Sequence, residues 1–350
     1  MFSIIKNKWK KKDIIVLLER IEIYFSSGLE IDKTMMIIED SLKGKQKSSI
    51  SKLLKHVESG LPLYGGLENI VGISRTTSSL IEYGELSGSL AKALVMAKTL
   101  LEKEEELFKK CINALIYPSV IGVFAILLTI GLVRGVMLQI IPLLKSLKVD
   151  LPFITKLTIS ISELINSYGF YILIVSIILL IFFKFINKRY IRFRRFFQYL
   201  LINIPLFGSL IYSYYLAIFL HSCGALVESG LFIGDSYRKT LNTITFLPLR
   251  DFLENGLDKI YRGVSLGNIL TNKRIPSFIT SLISAGQISG NLGSSIIRSG
   301  NILDKNLDHS LKKFTALIEP LMMIGMGCVV GTIALSIMIP IYNISSSLQK

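Results

Sequence analysis

Three stretches of the chain lose the mixture of apolar and polar positions that characterises the rest. Residues 112–133 (INALIYPSVIGVFAILLTIGLV), 169–186 (GFYILIVSIILLIFFKFI) and 321–341 (LMMIGMGCVVGTIALSIMIPI) are almost wholly apolar. Each is long enough to cross about 30 Å of hydrocarbon as a helix. Elsewhere the period is helical. Ile14, Leu17, Leu18, Ile21 and Phe25 share one face behind Asp13, which is placed to cap a helix N-terminus. Gly28 falls where a left-handed residue ends a helix at no Cβ cost. Ser74 predicts a short helix through Tyr83, stopped at Gly84. Ser87 predicts the start of another, which meets no breaker before Pro118 and runs on into the first apolar stretch. Strand-like alternation and Pro-Gly turns are scarce. The expected fold is therefore an all-α membrane protein with two cytoplasmic helical bundles and three transmembrane helices.

The two bundles are read as copies of one another, because the sequence repeats at an offset of 202. Ser27-Gly28-Leu29-Glu30-Ile31 recurs as Ser229-Gly230-Leu231-Phe232-Ile233. Leu80 to Leu90 (LIEYGELSGSL) recurs as Leu282 to Leu292 (LISAGQISGNL), and Leu115-Ile116-Tyr117-Pro118 as Leu317-Ile318-Glu319-Pro320. A near-copy at offset 203 pairs Gly60-Leu61-Pro62-Leu63 with Gly263-Val264-Ser265-Leu266. Internal duplication of this kind decides the architecture. Each copy feeds an apolar span.

Charge orients these elements. The chain carries 40 Lys and Arg against 25 Asp and Glu, with 51% hydrophobic residues and a mean hydropathy of +0.54. That excludes an ordinary soluble enzyme and a disordered chain, and it favours an anionic membrane surface over nucleic acid as the target of the basic excess. Residues 1–110 hold 18 Lys and Arg, 187–319 hold 16, and 135–168 hold 3. The positive-inside rule then puts the N-terminus in the cytoplasm and the C-terminus outside. The expected divisions are a basic segment 1–12, bundle 13–110, span 111–134, outside loop 135–168, span 169–187, basic linker and second bundle 188–318, span 319–342 and outside tail 343–350. Lys184 and Arg134, near span ends, read as snorkelling side chains. The start of the chain lacks the apolar core and cleavage site of a secretory signal.

These residues resemble the F family of type II secretion and type IV pilus inner-membrane platform proteins. The resemblance rests on Gly84-Glu85-Leu86-Ser87-Gly88-Ser89-Leu90 and its copy Gly286-Gln287-Ile288-Ser289-Gly290-Asn291-Leu292, with Gln for Glu. It also rests on Gly28 and Gly230 in the Ser-Gly-Leu helix ends, on Tyr117-Pro118 and Glu319-Pro320 at span entries, on Leu151-Pro152 with Thr155, and on Ile204-Pro205 with Gly208. It covers residues 14–345. The absence of a longer N-terminal extension looks more like the type IVb pilus branch. The resemblance implies a non-enzymatic platform without cofactors. Such a platform binds a hexameric assembly ATPase, pilin or pseudopilin subunits and other inner-membrane assembly proteins, and it is a homo-oligomer.

The residues themselves carry little catalytic chemistry. GELSGSL lacks the lysine and glycine spacing of a phosphate loop and follows no strand, so it reads as a tight helix–helix turn; Glu85 reads as a local cap or ion-pair partner. Three Cys and three His are scattered, with no metal or disulfide spacing. Candidate partner contacts, chosen on charge, are Glu85, Glu102, Glu106, Arg238, Lys239, Lys273 and Arg274. The charges along 102–110 read first as a solvated face with i,i+4 pairing. Gly131/Gly135 and Gly327/Gly331 have the spacing of close helix contacts, within the chain in the plainer reading and between subunits in the other. Two competing classes remain. An oligomeric transporter or channel would need polar pore faces, which are sparse; an intramembrane enzyme would need paired acids or a nucleophile inside a span, and no span has them.

Overall fold

The computed structural model describes residues 9–137, 142, 153–204 and 207–348. The Leu151-Pro152 pair and Pro205 lie outside them, as do the first eight residues. Among the described residues all regular secondary structure is helical. The first repeat comprises α1 (Lys11–Ser26), α2 (Ile31–Asp40), α3 (Gly44–Glu58), α4 (Leu63–Gly66), α5 (Arg75–Leu86) and α6 (Leu90–Leu132). Between the repeats lie α7 (Phe153–Arg189) and α8 (Ile191–Ile202). The second repeat comprises α9 (Phe207–Glu228), α10 (Ile233–Leu241), α11 (Leu247–Tyr261), α12 (Leu266–Ile269), α13 (Ser277–Ile288) and α14 (Leu292–Leu348). Helix by helix, α9–α14 repeat α1–α6.

Backbone chemistry sets the shared boundaries. Gly28 and Gly230 have φ of 91° and 105°, and Gly88 and Gly290 have φ of 71° and 76°. A side chain in this left-handed region costs about 1–2 kcal/mol, so glycine ends α1, α5, α9 and α13. Three local expectations are corrected. Asp13 is not the cap of α1; the helix starts two residues earlier behind Lys10, and Asp13 lies in its first turn, where a carboxylate favours the helix dipole. Gly84 does not stop α5, which Ser74 caps by accepting from the Thr77 N–H and which runs on to Leu86. Ser87 is therefore the C-terminal cap of α5, and the carbonyl of Ser89 accepts the first bond of α6.

The described chain divides into two units, one of residues 1–110 with 197–310 and one of 111–196 with 311–350. In the first unit, Leu17, Leu18, Ile21, Met35, Ile38, Leu53, Leu67, Leu80, Ile81 and Leu94 are fully enclosed with Ala225 and Leu226 of the second repeat. The second repeat buries Phe219, Tyr237, Phe246, Leu249, Leu253, Ile279, Ile283 and Ile296. In the second unit, Ile159 packs on Ile333 with Leu132 and Ile337, and the Thr155 hydroxyl donates to the Ser336 carbonyl at 3.0 Å.

Apolar length alone does not separate spans from core helices. The apolar windows of Leu90–Gly135 and Leu292–Ile339 are only 6% and 11% buried, as lipid-facing helices should be in a single chain. Helix α9 passes the same test but is 67% buried, so it is the central core helix of its bundle. The second expected span lies within α7, whose Phe170, Ile178 and Ile181 are exposed. That helix already begins at Phe153, so residues 153–168 of the expected loop are helical; no Gly or Pro interrupts them.

The same close packing recurs after each α5-type helix. A Cβ on Gly84 would lie 2.1 Å from Ala93 Cβ, and one on Gly286 2.1 Å from Ser295 Oγ. Gly84→Val should therefore destabilise the folded protein by about 3 kcal/mol, the upper end for overpacking. Gly88→Ala should cost about 1 kcal/mol for its backbone alone. Thermal melts of the detergent-purified variants check the order.

Candidate functional site

The repeated motif folds into a junction that fastens three segments. Gly84 lets α5 and α6 approach, Gly88 turns the chain between them, and Ser87 Oγ lies 2.8 Å from Ser89 Oγ. Glu85 points back to the start of α4. Its carboxylate accepts from the Leu63 N–H at 2.8 Å and from the Tyr64 N–H at 3.2 Å. These are two of the donors that a helix N-terminus leaves unpaired. Neighbouring residues cannot supply the acceptor, because Pro62 at the cap position has none in its side chain.

The second repeat builds the same junction with a neutral side chain. Gln287 Oε1 accepts from the Leu266 N–H, the first residue of α12, at 3.2 Å. Ser289 and Gly290 take the places of Ser87 and Gly88, with Ser289 Oγ donating to the Gly286 carbonyl. What both positions supply is an acceptor oxygen, so the change from Glu to Gln removes one bond and leaves the anchor.

A second charged cluster joins the repeats and carries no spacing signal. His221 of α9 donates from Nε2 to both carboxylate oxygens of Asp304 of α14, at 3.1 and 3.0 Å. Lys103 of α6 reaches the same carboxylate at 3.0 Å. The pattern continues as an alternating ladder: Lys103 to Glu106 at 3.1 Å, Glu106 to Lys110 at 2.8 Å, and Lys110 to Asp308 at 2.9 Å. Gly300 makes room for the imidazole, since a Cβ there would lie 2.9 Å from the ring. Burial pushes the Asp304 carboxyl up, but bonds and charge from His221 and Lys103 outweigh it and hold it below the ordinary carboxylate range. Burial likewise opposes the charge on Lys103, and its bonds to Asp304 and Glu106 raise it on balance. The one hint in the sequence was a histidine inside the apolar run of α9.

The charge-selected candidates fall on separate elements. Glu106 belongs to the ladder, and Glu102 lies 3.9 Å from Lys98, which is held by Glu19 at 2.5 Å. Lys239 bonds Glu82 of α5 at 2.8 Å, across the two repeats. Arg238 donates to the Tyr261 hydroxyl and lies over its ring, 3.8 Å from Asp235. Lys273 and Arg274 are exposed ahead of α13. Pro118 and Pro320 lie inside α6 and α14, and the Tyr117 hydroxyl donates to Glu319 at 3.1 Å. These two residues are equivalent in the repeat, so α6 and α14 meet at matching positions. Among the described residues, a Cβ on Gly131, Gly135, Gly327 or Gly331 would meet nothing within 4 Å. Among the described residues no group of three His, Cys, Asp or Glu could hold a metal ion.

Comparison with known proteins matches this duplicated plan. The family described as Type II secretion system (T2SS), protein F matches residues 17–138 and again 219–340, the same offset of 202. A type IV pilus assembly protein PilC of Thermus thermophilus is 26% identical, over 97% of this chain and 84% of its own length. A PilC protein of Myxococcus xanthus is 24% identical over 97% and 82%. A type II secretion system protein F of Xanthomonas campestris is 22% identical over 98% and 85%.

Two outcomes are expected. Glu85→Gln should change stability by less than about 1 kcal/mol, whereas Glu85→Ala, leaving both donors of α4 open, should cost about 1–2 kcal/mol; melting curves separate them. Asp304→Asn should cost about 3 kcal/mol, because it strips a buried pair of one charge. The depressed carboxyl makes its stabilisation complete above the unfolded value near 4 and lost as pH falls through the folded one. Acid titration of the melting temperature should show that loss in the parent protein and a shallower dependence in Asp304→Asn.

Proposed function

The chain belongs to the type II secretion system protein F family, and on that footing we propose that it is an inner-membrane platform of a bacterial type IV pilus or type II secretion machine. The observation that carries this reading is the duplicated bundle, each copy leading through one helix, α6 or α14, into an apolar span. In this reading the bundles face the cytoplasm and receive an assembly ATPase, which hydrolyses the nucleotide. The spans contact pilin or pseudopilin subunits and other inner-membrane assembly proteins, so that ATPase motion draws subunits from the bilayer into a filament. The platform itself performs no chemistry.

Several features support this assignment. The Lys and Arg bias supports a cytoplasmic N-terminus and an outside C-terminus. The cations of α8, Arg192, Arg194 and Arg195, suit an anionic leaflet at about 1 kcal/mol per nearby cation. Exposed Lys273 and Arg274, and Glu102 at the rim of the ladder, remain the charged positions offered to a partner. The glycines at 131, 135, 327 and 331 leave room for neighbouring helices, consistent with a homo-oligomer.

Affinity purification in mild detergent from the native cell tests the reading. A hexameric secretion-type ATPase should co-purify with measurable nucleotide hydrolysis, and in-cell crosslinking from α6 should capture a pilin-like subunit. Solute or ion flux through the reconstituted protein, with neither partner recovered, would establish the transporter reading in its place.

A further inference from the structure

The two bundles of the first unit are alike and meet through the equivalent helices α6 and α14, yet the rest of their contact joins unlike surfaces. Helices α9 and α10 of the second repeat pack on α5 of the first. The Lys239–Glu82 ion pair, a Thr76–Thr243 hydroxyl contact at 3.4 Å and the Tyr83 ring against Gly230 all lie in this interface. Among the described residues, α1 and α2 make no comparable contact with α13. Head-to-tail packing of two copies necessarily leaves one unused half of the interface at each end. Here the unused halves are α13 at one end and α1 with α2 at the other.

Burial at equivalent positions shows that both halves are open. Thr76 on α5 is 1% exposed, and its equivalent Phe278 on α13 is 64% exposed. Ala225 on α9 is 7% exposed, and its equivalent Ile23 on α1 is 54% exposed. A Cβ on Gly230 would meet the Tyr83 hydroxyl at 2.7 Å and its ring at 3.2 Å, whereas one on Gly28 would meet nothing within 4 Å among the described residues.

The open halves are also more apolar than the closed ones, the reverse of what exposure to water favours. Lys239 is replaced by Ile37, which is 41% exposed, and its partner Glu82 by Ser284. Thr76 is replaced by Phe278 and Thr243 by Ser41. Sizes change in a compensating sense: Tyr83 on one face becomes the small Ala285, while Ala225 on the other becomes the larger Ile23. The ion pair has been removed from both sides together, so neither open face carries the unmatched charge that a single loss would leave.

We propose that α13 of one copy of this chain docks on α1 and α2 of a second copy, continuing between molecules the contact that joins the repeats within one. The contact is heterologous. Copies fixed in one bilayer orientation that join this way are added one after another about the membrane normal, forming a ring where the rotation closes, and not a two-fold dimer. The inference rests on repeat packing and not on the platform reading.

Site-directed crosslinking in membranes tests it. In a full-length chain with Cys111, Cys223 and Cys328 replaced, Ile37→Cys and Ser284→Cys are carried on two differently tagged copies expressed together. Mild oxidation should join the two tags, while neither variant alone should form a dimer. One chain carrying both cysteines should give a ladder of covalent oligomers. Glu82→Cys with Lys239→Cys, which should close within one chain, shows that the bundles are folded. Given that control, absence of the mixed product overturns the proposal, and so does a dominant Ile37→Cys homodimer. Ile37→Glu, with the cysteine moved to Ile23, should abolish crosslinking to Ser281→Cys, and Ser284→Lys in the partner copy should restore at least half of it; crosslinking unaffected by Ile37→Glu also counts against the contact. The ladder should form without any assembly partner, so loss of ATPase recovery would bear on the platform reading alone.

Discussion

Asp304 is a carboxylate with almost no access to water, and its charge survives because three helices converge on it. His221 comes from α9, Lys103 from α6, and Asp304 itself from α14. An isolated buried charge costs several kcal/mol, and removing one partner leaves the others bearing that cost. The helices leading to two spans are thus tied to each other and to the central helix of the second bundle. The ladder through Glu106, Lys110 and Asp308 extends the tie along α6 and α14 by ordinary helix spacing. Charge that reads in one dimension as a solvated stripe becomes, in the folded chain, a seam between repeats.

What was legible in the sequence follows from how local each constraint is. The left-handed glycines stand out because only glycine adopts that backbone cheaply, and both copies keep them. The duplication was visible for the same reason. Cap positions slipped by a few residues, as at Asp13 and Ser87, because several polar side chains near a helix end can serve. Gly84 was misread as a stop, since its real constraint is the distance to Ala93, a neighbour across the turn. Apolar length in α9 says nothing about whether lipid or protein covers it. The Asp304 cluster leaves only His221 in an apolar run as its trace, because its partners come from distant parts of the chain and obey no spacing rule.

The junction motif separates two ideas that sequence patterns run together. Its glycines and its acceptor serve the path of the backbone, and the side chain that looks most like a reactive group, Glu85, ties down the start of α4. The second copy does so with an amide. The pattern therefore identifies the domain reliably while naming no reactive atom. What the motif contributes is geometry, held by turns and caps.

Gly28 and Gly230 began as one residue in a duplicated segment and now answer to different demands. Gly28 must only adopt a left-handed backbone, which asparagine also tolerates. Gly230 must do so against the Tyr83 side chain, whose hydroxyl a Cβ would approach to 2.7 Å and so displace. The first site therefore admits a wider set of side chains than the second. Two copies of one segment carry unequal burdens, and the way one lies upon the other sets which of them is the more constrained.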